Sequence, residues 1–529
     1  MAASSEDSNP CSSLDSQFPG QVSYAQDASY RASINSYFYQ QARLAPQCIV
    51  FPKSASDVSR IVKTISELRA KAAVRGGGHT PIANAANLNN AVTIDLSGMN
   101  TVNLGTVHTL GLPFLHNDSD SSIPAASNVP LVPSNSASSK SDCSFSNLSS
   151  DAAGETKSLS TPNTLSVGGG ATWGDVYQKL ESTGLISIGG RGTSLGVGGL
   201  LTGGGISFYL GQRGFACDNV VNMEVVLADG SIANANAIQR PDLFRALKGG
   251  SNNFGIVTRF DLKTYPQGQL WGGFIAYPSA TVPQQLLAFE SFMQSAKSDP
   301  YAEIICAIGY LGAYQSVVVS IGLHYTKPVV NPPIFQPFTA IQPQLTNTMR
   351  IGNNIDFVNE VESNQAKNSR GIYLNTVFRP TTAIIEKVYQ LWSATTDSIK
   401  NIPGIAYFLI FQRMPLIEPG NALGLEGSDD SLVLCLLSVT WTQAQSDATV
   451  NSVTRALIEE IDEATKAAGL FSRFKYLNYA APFQDPISSY GPASKAQLQA
   501  VSQEYDPEGF FQTNIPGGFK LSGPQYSVA

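Results

Sequence analysis

The stretch Arg75-Gly76-Gly77-Gly78-His79-Thr80 is the one around which the rest of the chain is organised. It follows the short apolar run 72–74 and precedes Pro81, so the pattern predicts a strand that runs out into a tight loop. Three successive glycines let the backbone adopt positive φ and come close to a ligand, at an entropic cost. Exposed backbone N–H groups can then hold an anion or a flat ligand. The alternative is a glycine-rich turn with an incidental histidine.

Two further glycine clusters favour the ligand site. Residues 189–205 read GGRGTSLGVGGLLTGGG, and residues 248–255 read KGGSNNFG. Each cluster lies beside an apolar segment, which suggests one long ligand cradled along its length. None of them has the strand, GxGxxG, helix and later acidic residue that are typical of a Rossmann fold. We therefore do not expect a Rossmann crevice.

Length and composition restrict the class of protein. A chain of 529 residues with 43% hydrophobic and 14% charged residues is typical of a globular enzyme with two domains. The net charge of -7, without a long Lys/Arg cluster, argues against a nucleic acid partner. No apolar run is long enough to span a membrane. The six cysteines and four histidines show no metal-ligand spacing, so we predict no metal site.

Residue periodicity predicts a mixed helix and strand pattern in the first half of the chain. A strand at 48–51 is followed by a capped helix at 54–68, and then by the strand that leads to the histidine loop. Further strands are predicted at 92–96, 220–227 and 256–262, with a short capped helix at 172–180. Residues 106–162 are rich in Ser, Asn, Asp, Ala and Pro and show no periodicity, so we predict no regular helix or strand there.

The pattern changes at about residue 264. Segments that read as half-buried strands now dominate, with helical stretches such as 383–392 between them. The predicted strands are 316–323, 373–378, 406–411 and 431–441. Such a pattern predicts a broad sheet with helices on its back.

Four motifs together resemble one family. They are Arg75-Gly-Gly-Gly-His79, the run around Gly196-Val-Gly-Gly199, Asp218-Asn-Val-Val221 with residues 243–250, and Tyr476-Leu-Asn-Tyr479 followed by Tyr505-Asp-Pro507. With these motifs in this order, the chain is similar to the covalent flavoproteins related to berberine bridge enzyme, within the vanillyl-alcohol oxidase group. The overall pattern looks most like the fungal members. The resemblance extends from about residue 24 to about residue 511 and lapses between 104 and 165.

The resemblance implies an α+β fold with two domains. One is a discontinuous FAD-binding domain of the PCMH type, and the other is a substrate domain with a large antiparallel sheet backed by helices. On this basis we divide the chain into an N-terminal arm (1–30), the FAD-binding domain (31–263, with the insertion 106–162), the substrate domain (264–472) and a C-terminal return to the FAD-binding domain (473–529).

The resemblance also implies that FAD is bonded covalently to His79. In the family, the histidine of this motif bonds through a ring nitrogen to the C8 methyl carbon of the flavin, which raises the reduction potential. The alternatives for His79 are a general base or a structural histidine. Many relatives carry a second, cysteinyl tether at the position of Gly192, so we expect a single link here. Leu200 stands where the family has a histidine, and the hydrogen bond of that histidine to the ribityl region is then missing.

Few cations lie near the motifs, so we expect backbone N–H groups of the loop 76–78 to hold the pyrophosphate. The residues predicted to bind the cofactor are Arg75, Gly76, Gly77, Gly78, His79, Thr80, Gly192, Thr193, Leu195, Gly196, Gly198, Gly199, Leu200, Gly203, Gly255, Ile256, Val257 and Asn478.

The resemblance places the substrate between the large sheet and the segment 476–479. Removing hydride from a carbon requires a base that takes the proton of the attached heteroatom. We predict that Tyr479 is this base, with Tyr476 as the second choice; the alternative for either is a packed aromatic residue. From their places in predicted strands, Gln412, Tyr373 and Trp441 are weaker candidates for lining the pocket.

These features predict a FAD-dependent oxidase of natural-product metabolism. It would take hydride from a small organic alcohol, amine or phenol and pass the electrons to O2, which gives H2O2. The alternatives are a sugar or oligosaccharide oxidase, and a flavoprotein cyclase whose flavin is structural. Leu195 stands at the position that gates oxygen in relatives, so a dehydrogenase with another electron acceptor also remains open.

The positions of the cysteines and of the N-glycosylation sequons bear on the cellular compartment of the protein. The resemblance implies a disulfide between Cys11 and Cys48, which would form in an oxidising compartment. Both N-x-S/T sequons, at Asn117 and Asn147, fall inside the predicted insertion and support secretion modestly. Residues 1–15 show no signal-peptide pattern, so either the protein is intracellular or a signal peptide has been removed. We expect the secretory pathway, and a monomer whose partners are its substrate and O2.

Overall fold

The computed structural model describes residues 9–105, 164–428 and 431–523. The predicted insertion 106–162, with its two sequons, lies outside these described residues. Within them, the strands form three sheets. No helix of this part of the chain is long and apolar enough to cross a membrane.

Strands and helices are mixed up to residue 266. The strands are β1 (Val22–Ser23), β2 (Cys48–Val50), β3 (Ala72–Arg75), β4 (Val92–Asp95), β5 (Val102–Gly105), β6 (Thr164–Gly168), β7 (Leu185–Ser187), β8 (Val220–Val226), β9 (Ile232–Asn236) and β10 (Ile256–Pro266). The helices are α1 (Pro10–Gln17), α2 (Ala28–Ser36), α3 (Ala55–Glu67), α4 (Trp173–Leu180), α5 (Val197–Thr202), α6 (Leu210–Arg213) and α7 (Pro241–Leu247).

The remaining strands belong to one large sheet. They are β11 (Leu270–Pro278), β12 (Ala302–Leu311), β13 (Ser316–Tyr325), β14 (Thr346–Asn347), β15 (Arg350–Gly352), β16 (Arg370–Phe378), β17 (Ala406–Arg413), β18 (Val433–Trp441) and β19 (Phe471–Ser472). The helices are α8 (Val282–Ser295), α9 (Gln336–Thr339), α10 (Asn354–Ser363), α11 (Thr382–Ile399), α12 (Asp447–Ala467), α13 (Pro486–Ser489), α14 (Pro492–Tyr505) and α15 (Phe510–Thr513).

The first sheet carries the histidine loop. Its order is β1-β2-β4-β3, and both β2 and β3 run parallel to β4. Helix α3 connects β2 to β3; Ser54 caps it by accepting a hydrogen bond from the Asp57 N–H at 3.1 Å. The apolar stripe of α3 is buried, as its period predicts. β3 therefore delivers residues 76–80 to the edge of a rigid layer.

The segment predicted to be an N-terminal arm is, from Asn9 onward, part of this layer's core. Leu14 and Phe18 are buried against α3, and β1 pairs with β2. The predicted disulfide between Cys11 and Cys48 is confirmed and joins α1 to β2. The expected arm is packed because its few apolar side chains find partners beside the first sheet.

The second sheet has the order β5-β6-β10-β8-β9, with β7 also pairing with β10. Its core contains Trp173 from α4 and Phe260 from β10. This core also takes in the segment from Phe474 to Leu521, so the end of the chain packs back on the first half.

The large sheet has the order β14-β11-β13-β12-β17-β18-β16-β19, with antiparallel pairing throughout. Side chains alternate between its two faces. On β17, Tyr407, Leu409 and Phe411 pack into the core beneath helices α8, α11 and α12. The other face is turned away from these helices and forms the wall of a cavity.

Candidate active site

A cavity of about 1130 Å³ lies between the histidine loop, the second glycine cluster and the large sheet. Pockets for small molecules commonly measure about 300–1,000 Å³. This cavity is therefore large enough for two ligands that lie against each other. Among its lining residues that the structure describes, Arg191 and Glu360 carry a full charge.

The first two glycine loops pack backbone against backbone at this cavity. A Cβ at Gly77 would lie 2.5 Å from the Gly196 nitrogen, and a Cβ at Gly196 would lie 2.3 Å from the Gly77 nitrogen. Gly78 has φ +68°, and a Cβ there would lie 2.9 Å from Nε of Arg75. Glycine is required at Gly77 and Gly196 because a Cβ would clash with the other loop, and at Gly78 because its φ is positive. At Gly199, in contrast, a Cβ would meet nothing within 4 Å, which leaves open space beside the cavity.

Most of the predicted cofactor-binding residues line the cavity. They are Gly76, Gly77, Gly78, His79, Thr80, Leu195, Gly196, Gly198, Gly199, Leu200, Gly255, Ile256, Val257 and Asn478. The cavity is also lined by Ser251 and Asn252 of the third glycine cluster. The three clusters thus face one continuous space, as their sequence predicts.

Four predicted positions do not line the cavity, because each is engaged behind its wall. Arg75 forms an ion pair with Asp95 at 3.2 Å and ties α2 to the first sheet. The Thr193 carbonyl accepts the Gly174 N–H at 2.9 Å. A Cβ at Gly203 would lie 2.1 Å from Oδ1 of Asn478, and a Cβ at Gly192 would lie 2.9 Å from Oε2 of Glu362.

His79 lies at the end of the glycine loop with its ring against that of Phe38, at 4.0 Å between centroids. The residue is half-buried, but its Nε2 is shielded from water and has no hydrogen-bond partner among the described residues. Burial lowers the pKa of His79 to about 4, although the nearby Glu362 opposes this shift. The imidazole is therefore neutral at physiological pH, with a nitrogen lone pair available.

Tyr476 and Tyr479 meet edge to face, at 4.9 Å between ring centroids. The buried Tyr476 hydroxyl accepts hydrogen bonds from the Gly205 N–H at 2.9 Å and from Nδ2 of Asn478 at 3.1 Å. Burial raises the pKa of Tyr476 well above its ordinary value. Tyr479 is half-buried and lines the cavity, and its hydroxyl receives a hydrogen bond from Nη2 of Arg191 at 3.1 Å. Tyr479 is thus the more accessible phenol of the two.

Arg191 is buried at the centre of a polar network. Its Nη1 donates to Oε1 of Glu303 at 2.5 Å, and its Nη2 donates to Oε1 of Gln412 at 2.5 Å. Glu303 is also within 3.2 Å of Nδ1 of His324. Burial acts to lower the pKa of Arg191, but Tyr479 and Glu303 together hold that pKa above its ordinary value. The guanidinium therefore stays charged.

The sheet forms the opposite wall and is mostly apolar. The aromatic side chains of Phe274 and Phe408 lie over strand glycines, since a Cβ at Gly322 or at Gly309 would lie within 2.7 Å or 2.2 Å of the respective ring. Other lining residues of the sheet include Ala276, Ile305, Ala307, Leu311, Val318, Ser320, Ala406, Ile410, Leu436, Ser438 and Thr440.

Of the three pocket residues predicted on the sheet, Gln412 and Tyr373 line the cavity. The prediction for Trp441 is wrong. Trp441 shares its side of β18 with Leu437 and Val439, which pack into the core, and its Nε1 donates to Asp447 at 2.8 Å. Its neighbour Thr440 faces the cavity instead.

Sequence reasoning missed Arg191, Glu303 and His324 as functional candidates. Arg191 is the one charged residue within 189–205, and Glu303 and His324 stand in otherwise apolar strands. A charge in an apolar strand requires a partner, so these positions carried a signal. The sequence does not identify the partners, because Arg191 and Glu303 are 112 residues apart along the chain, and Glu303 and His324 are 21 residues apart.

Comparison with known proteins bears on this cavity. A family model described as "FAD binding domain" matches residues 46–108 and 127–236. The FAD-dependent monooxygenase drtC of Aspergillus calidoustus is 33% identical over 527 residues, covering 97% of this chain and 90% of the relative.

Solved structures share the whole architecture. 6-Hydroxy-D-nicotine oxidase from Arthrobacter nicotinovorans superposes with a TM-score of 0.71 at 20% identity, covering 94% of this chain and 97% of the other. Glucooligosaccharide oxidase from Acremonium strictum, with a 6-S-cysteinyl, 8α-N1-histidyl FAD, gives a TM-score of 0.69 at 16% identity, covering 98% and 100%. At these identities the likeness concerns the fold. The predicted fold class, an α+β PCMH-type FAD-binding fold with a large antiparallel sheet, is confirmed.

Proposed function

The chain belongs to the FAD-dependent oxidoreductases that share the PCMH-type FAD-binding domain, and from this premise we propose that it is an oxidase of a small, largely apolar alcohol, amine or phenol. When bound, FAD supplies the two-electron acceptor for hydride from the substrate carbon, and O2 takes both electrons and becomes H2O2. The observation that carries the proposal is the convergence, on one cavity, of neutral His79, the Tyr479–Arg191 pair and an apolar sheet wall.

The three glycine clusters would hold the cofactor. Gly77 and Gly196 bring two backbones into direct contact, and the lining of the cavity offers few cations, so backbone N–H groups would bind the pyrophosphate. His79 would form the covalent link, since it is neutral and its Nε2 lacks a partner among the described residues. The link would be single because Gly192 has no thiol and because the thiol of Cys217 is buried.

Tyr479 would accept the proton of the substrate. Its hydroxyl lines the cavity and receives a hydrogen bond from a guanidinium, which places positive charge where a phenolate needs it. Tyr476 is the weaker candidate, because its hydroxyl is buried, already accepts two hydrogen bonds and has a raised pKa. Tyr476 would orient Asn478 and the loop at Gly205.

The sheet wall indicates the substrate class. Sugars present hydroxyl groups on all sides and need many donors and acceptors to replace water. The wall offers the rings of Phe274 and Phe408 and a row of aliphatic side chains, with a smaller number of hydroxyl and amide side chains among them. This wall fits a flat apolar molecule better than an oligosaccharide.

A panel of substrates tests the proposal directly. Under anaerobic conditions, benzylic and allylic alcohols, amines and phenols are compared with oligosaccharides for bleaching of the flavin absorbance, without added NADH or NADPH. We expect bleaching by members of the first set. Bleaching by oligosaccharides alone would overturn the substrate class. A product formed without bleaching would instead indicate a cyclase with a structural flavin.

A second candidate function is a monooxygenase, since the relative that is 33% identical is named as one. Such an enzyme needs an external reductant and places an oxygen atom of O2 in its product. The same panel under 18O2, run with and without added NADPH, separates the two functions. An oxidase gives labelled H2O2 and an unlabelled organic product, whereas a labelled organic product would favour the monooxygenase.

We also propose that the protein passes through the secretory pathway and is a monomer. The Cys11–Cys48 disulfide supports this compartment, because such bonds persist where thiols are oxidised. Detection of the protein in culture medium, with a mass lowered by glycosidase, is the expected result. Recovery from the cytosol with both thiols reduced would contradict it.

A further inference from the structure

Arg191 contacts three different elements at once, although the proposed catalytic chemistry needs only one of these contacts. It accepts no hydrogen bonds and donates to Glu303 on β12, to Gln412 on β17 and to Tyr479. The side chains of Arg191 and Glu303 are 9% and 0% exposed, respectively. A planar guanidinium with several donors is suited to fix three acceptors in one arrangement.

Glu303 is held from its other side. Its Oε1 accepts the hydrogen bond from Arg191, and its Oε2 lies 3.2 Å from Nδ1 of His324. A carboxylate only accepts hydrogen bonds, so Nδ1 of His324 is the donor. β12 and β13 pair Glu303 directly with His324, which fixes this contact by register.

His324 is enclosed by aromatic rings. Its ring stacks on Phe208 at 4.0 Å between centroids and meets Phe357 and Phe274 edge-on at 5.7 and 5.9 Å. Its Nε2 has no hydrogen-bond partner among the described residues. The ring is therefore immobilised by packing, and Glu303 with it.

We propose that Arg191 is a positioning residue for Tyr479, and that the buried Glu303–His324 pair keeps its guanidinium at the phenol oxygen. This inference rests on the proposed function, in which Tyr479 accepts the substrate proton. Arg191 fixes the orientation of the phenol and supplies the positive charge that stabilises a phenolate, the form that has room for the substrate proton. Glu303 neutralises the guanidinium, since an unpaired cation would not stay buried at this point.

The central test is Arg191→Met in the flavin-loaded enzyme, followed by anaerobic flavin reduction at neutral pH with a substrate from the panel. We expect reduction to slow by about 10²-fold or more at neutral pH. Arg191→Lys should recover part of the rate, since an ammonium supplies charge without the planar fork.

A double variant distinguishes a positioning role of Arg191 from a general effect on the structure. In a Tyr479→Phe background, Arg191→Met should slow reduction no further, because the two residues act as one unit. Arg259→Met is the matched control. Arg259 pairs with Glu224 and Asp261 outside the cavity, and its replacement should leave the rate of flavin reduction unchanged. Where Arg191→Met does not take up flavin, the same comparison is made with Arg191→Lys.

The outcomes separate this inference from the proposed function. If no substrate reduces the flavin, the proposed function fails and the inference fails with it. If substrates reduce the flavin but Tyr479→Phe is as fast as wild type, the oxidase function stands and the inference alone fails, because Tyr479 is then not the base. If Tyr479→Phe is slow but Arg191→Met reduces the flavin as fast as wild type, or adds a full further loss to Tyr479→Phe, the inference alone is overturned.

Discussion

At the scale of single residues, His79 combines two properties that a covalent attachment site needs. Burial lowers its pKa to about 4, so the neutral imidazole dominates at any pH above about 5. Its shielded Nε2 lacks a partner among the described residues. Nε2 of His324 is also shielded and unpartnered among the described residues, but of these two histidines it is His79 that lines the cavity.

We predict that acid-precipitated wild-type protein stays yellow and that His79→Ala releases its flavin on precipitation. Peptide mapping should find flavin on the His79 peptide and on no cysteine, because burial holds the pKa of the Cys217 thiol well above its ordinary value. His116→Ala, outside the described residues, serves as the histidine control. A colourless wild-type pellet, or a cysteinyl adduct, would contradict the single link.

Removal of the hydroxyl group alone should have different effects at Tyr479 and at Tyr476. Tyr479→Phe should slow anaerobic flavin reduction by about 10²–10⁴-fold, because the proton acceptor is lost while the ring remains. Tyr476→Phe leaves the Gly205 N–H without its acceptor and should cost about 1–3 kcal/mol of unfolding free energy, with the smaller effect on rate. The opposite pattern, with Tyr476→Phe slow and Tyr479→Phe unchanged, would transfer the catalytic role to Tyr476.

At the scale of elements, the contact between the glycine loops determines whether a cofactor site exists. A Cβ at Gly196 would lie 2.3 Å from a backbone nitrogen of the first loop, which cannot move without disturbing β3. Gly196→Ala should therefore lower the flavin content of the purified protein severely. Gly268→Ala, where a Cβ meets nothing within 4 Å, should retain full flavin. Equal flavin content in the two variants would show that the loops do not need this approach.

The second sheet shows where the predicted insertion leaves and re-enters the chain. Gly105 at the end of β5 pairs with Thr164 at the start of β6, so the two ends lie side by side. A short turn can join such ends. We predict that replacing residues 106–162 with a short glycine-containing turn leaves flavin incorporation and thermal stability nearly unchanged. Loss of flavin from the trimmed protein would mean that the segment contributes to the fold.

The sheet elements also show what a sequence can and cannot predict. The histidine loop and the capped helix α3 follow from local signals, and both form as predicted. On β18 the run from Val433 to Leu437 is apolar on both faces, so its pattern does not say which side meets the cavity, and Trp441 was assigned to the wrong face. The Arg191–Glu303–His324 network depends on pairing between distant strands, which no local pattern specifies.

At the scale of the whole molecule, the cavity exists because the two halves of the chain close on each other. The first half brings the glycine clusters and Arg191, the large sheet brings an apolar wall, and the returning C-terminal segment brings Tyr476 and Tyr479. Neither half contains a complete site. We therefore expect substrate and cofactor to meet only in the assembled fold.

The choice of electron acceptor also depends on the whole molecule, because oxygen must reach the flavin through the cavity. Leu195 lines the cavity, and its Cδ1 would lie 2.7 Å from a Cβ at Gly190 and 3.4 Å from one at Gly192, so its side chain leans over these two glycines. The space left by the glycines is thus taken by leucine. We propose that a path for oxygen nevertheless persists, because the cavity extends from this loop to the large sheet.

An anaerobic titration followed by admission of air tests the central claim most directly. The purified, flavin-loaded protein is titrated with the best substrate of the panel, without NADH or NADPH, and air-saturated buffer is then added. We expect one equivalent of substrate to bleach one flavin, and air to restore the yellow colour within seconds with one H2O2 formed per substrate. No bleaching without an added reductant would contradict it, and recovery over many minutes, made rapid by Leu195→Val, would make the enzyme a dehydrogenase.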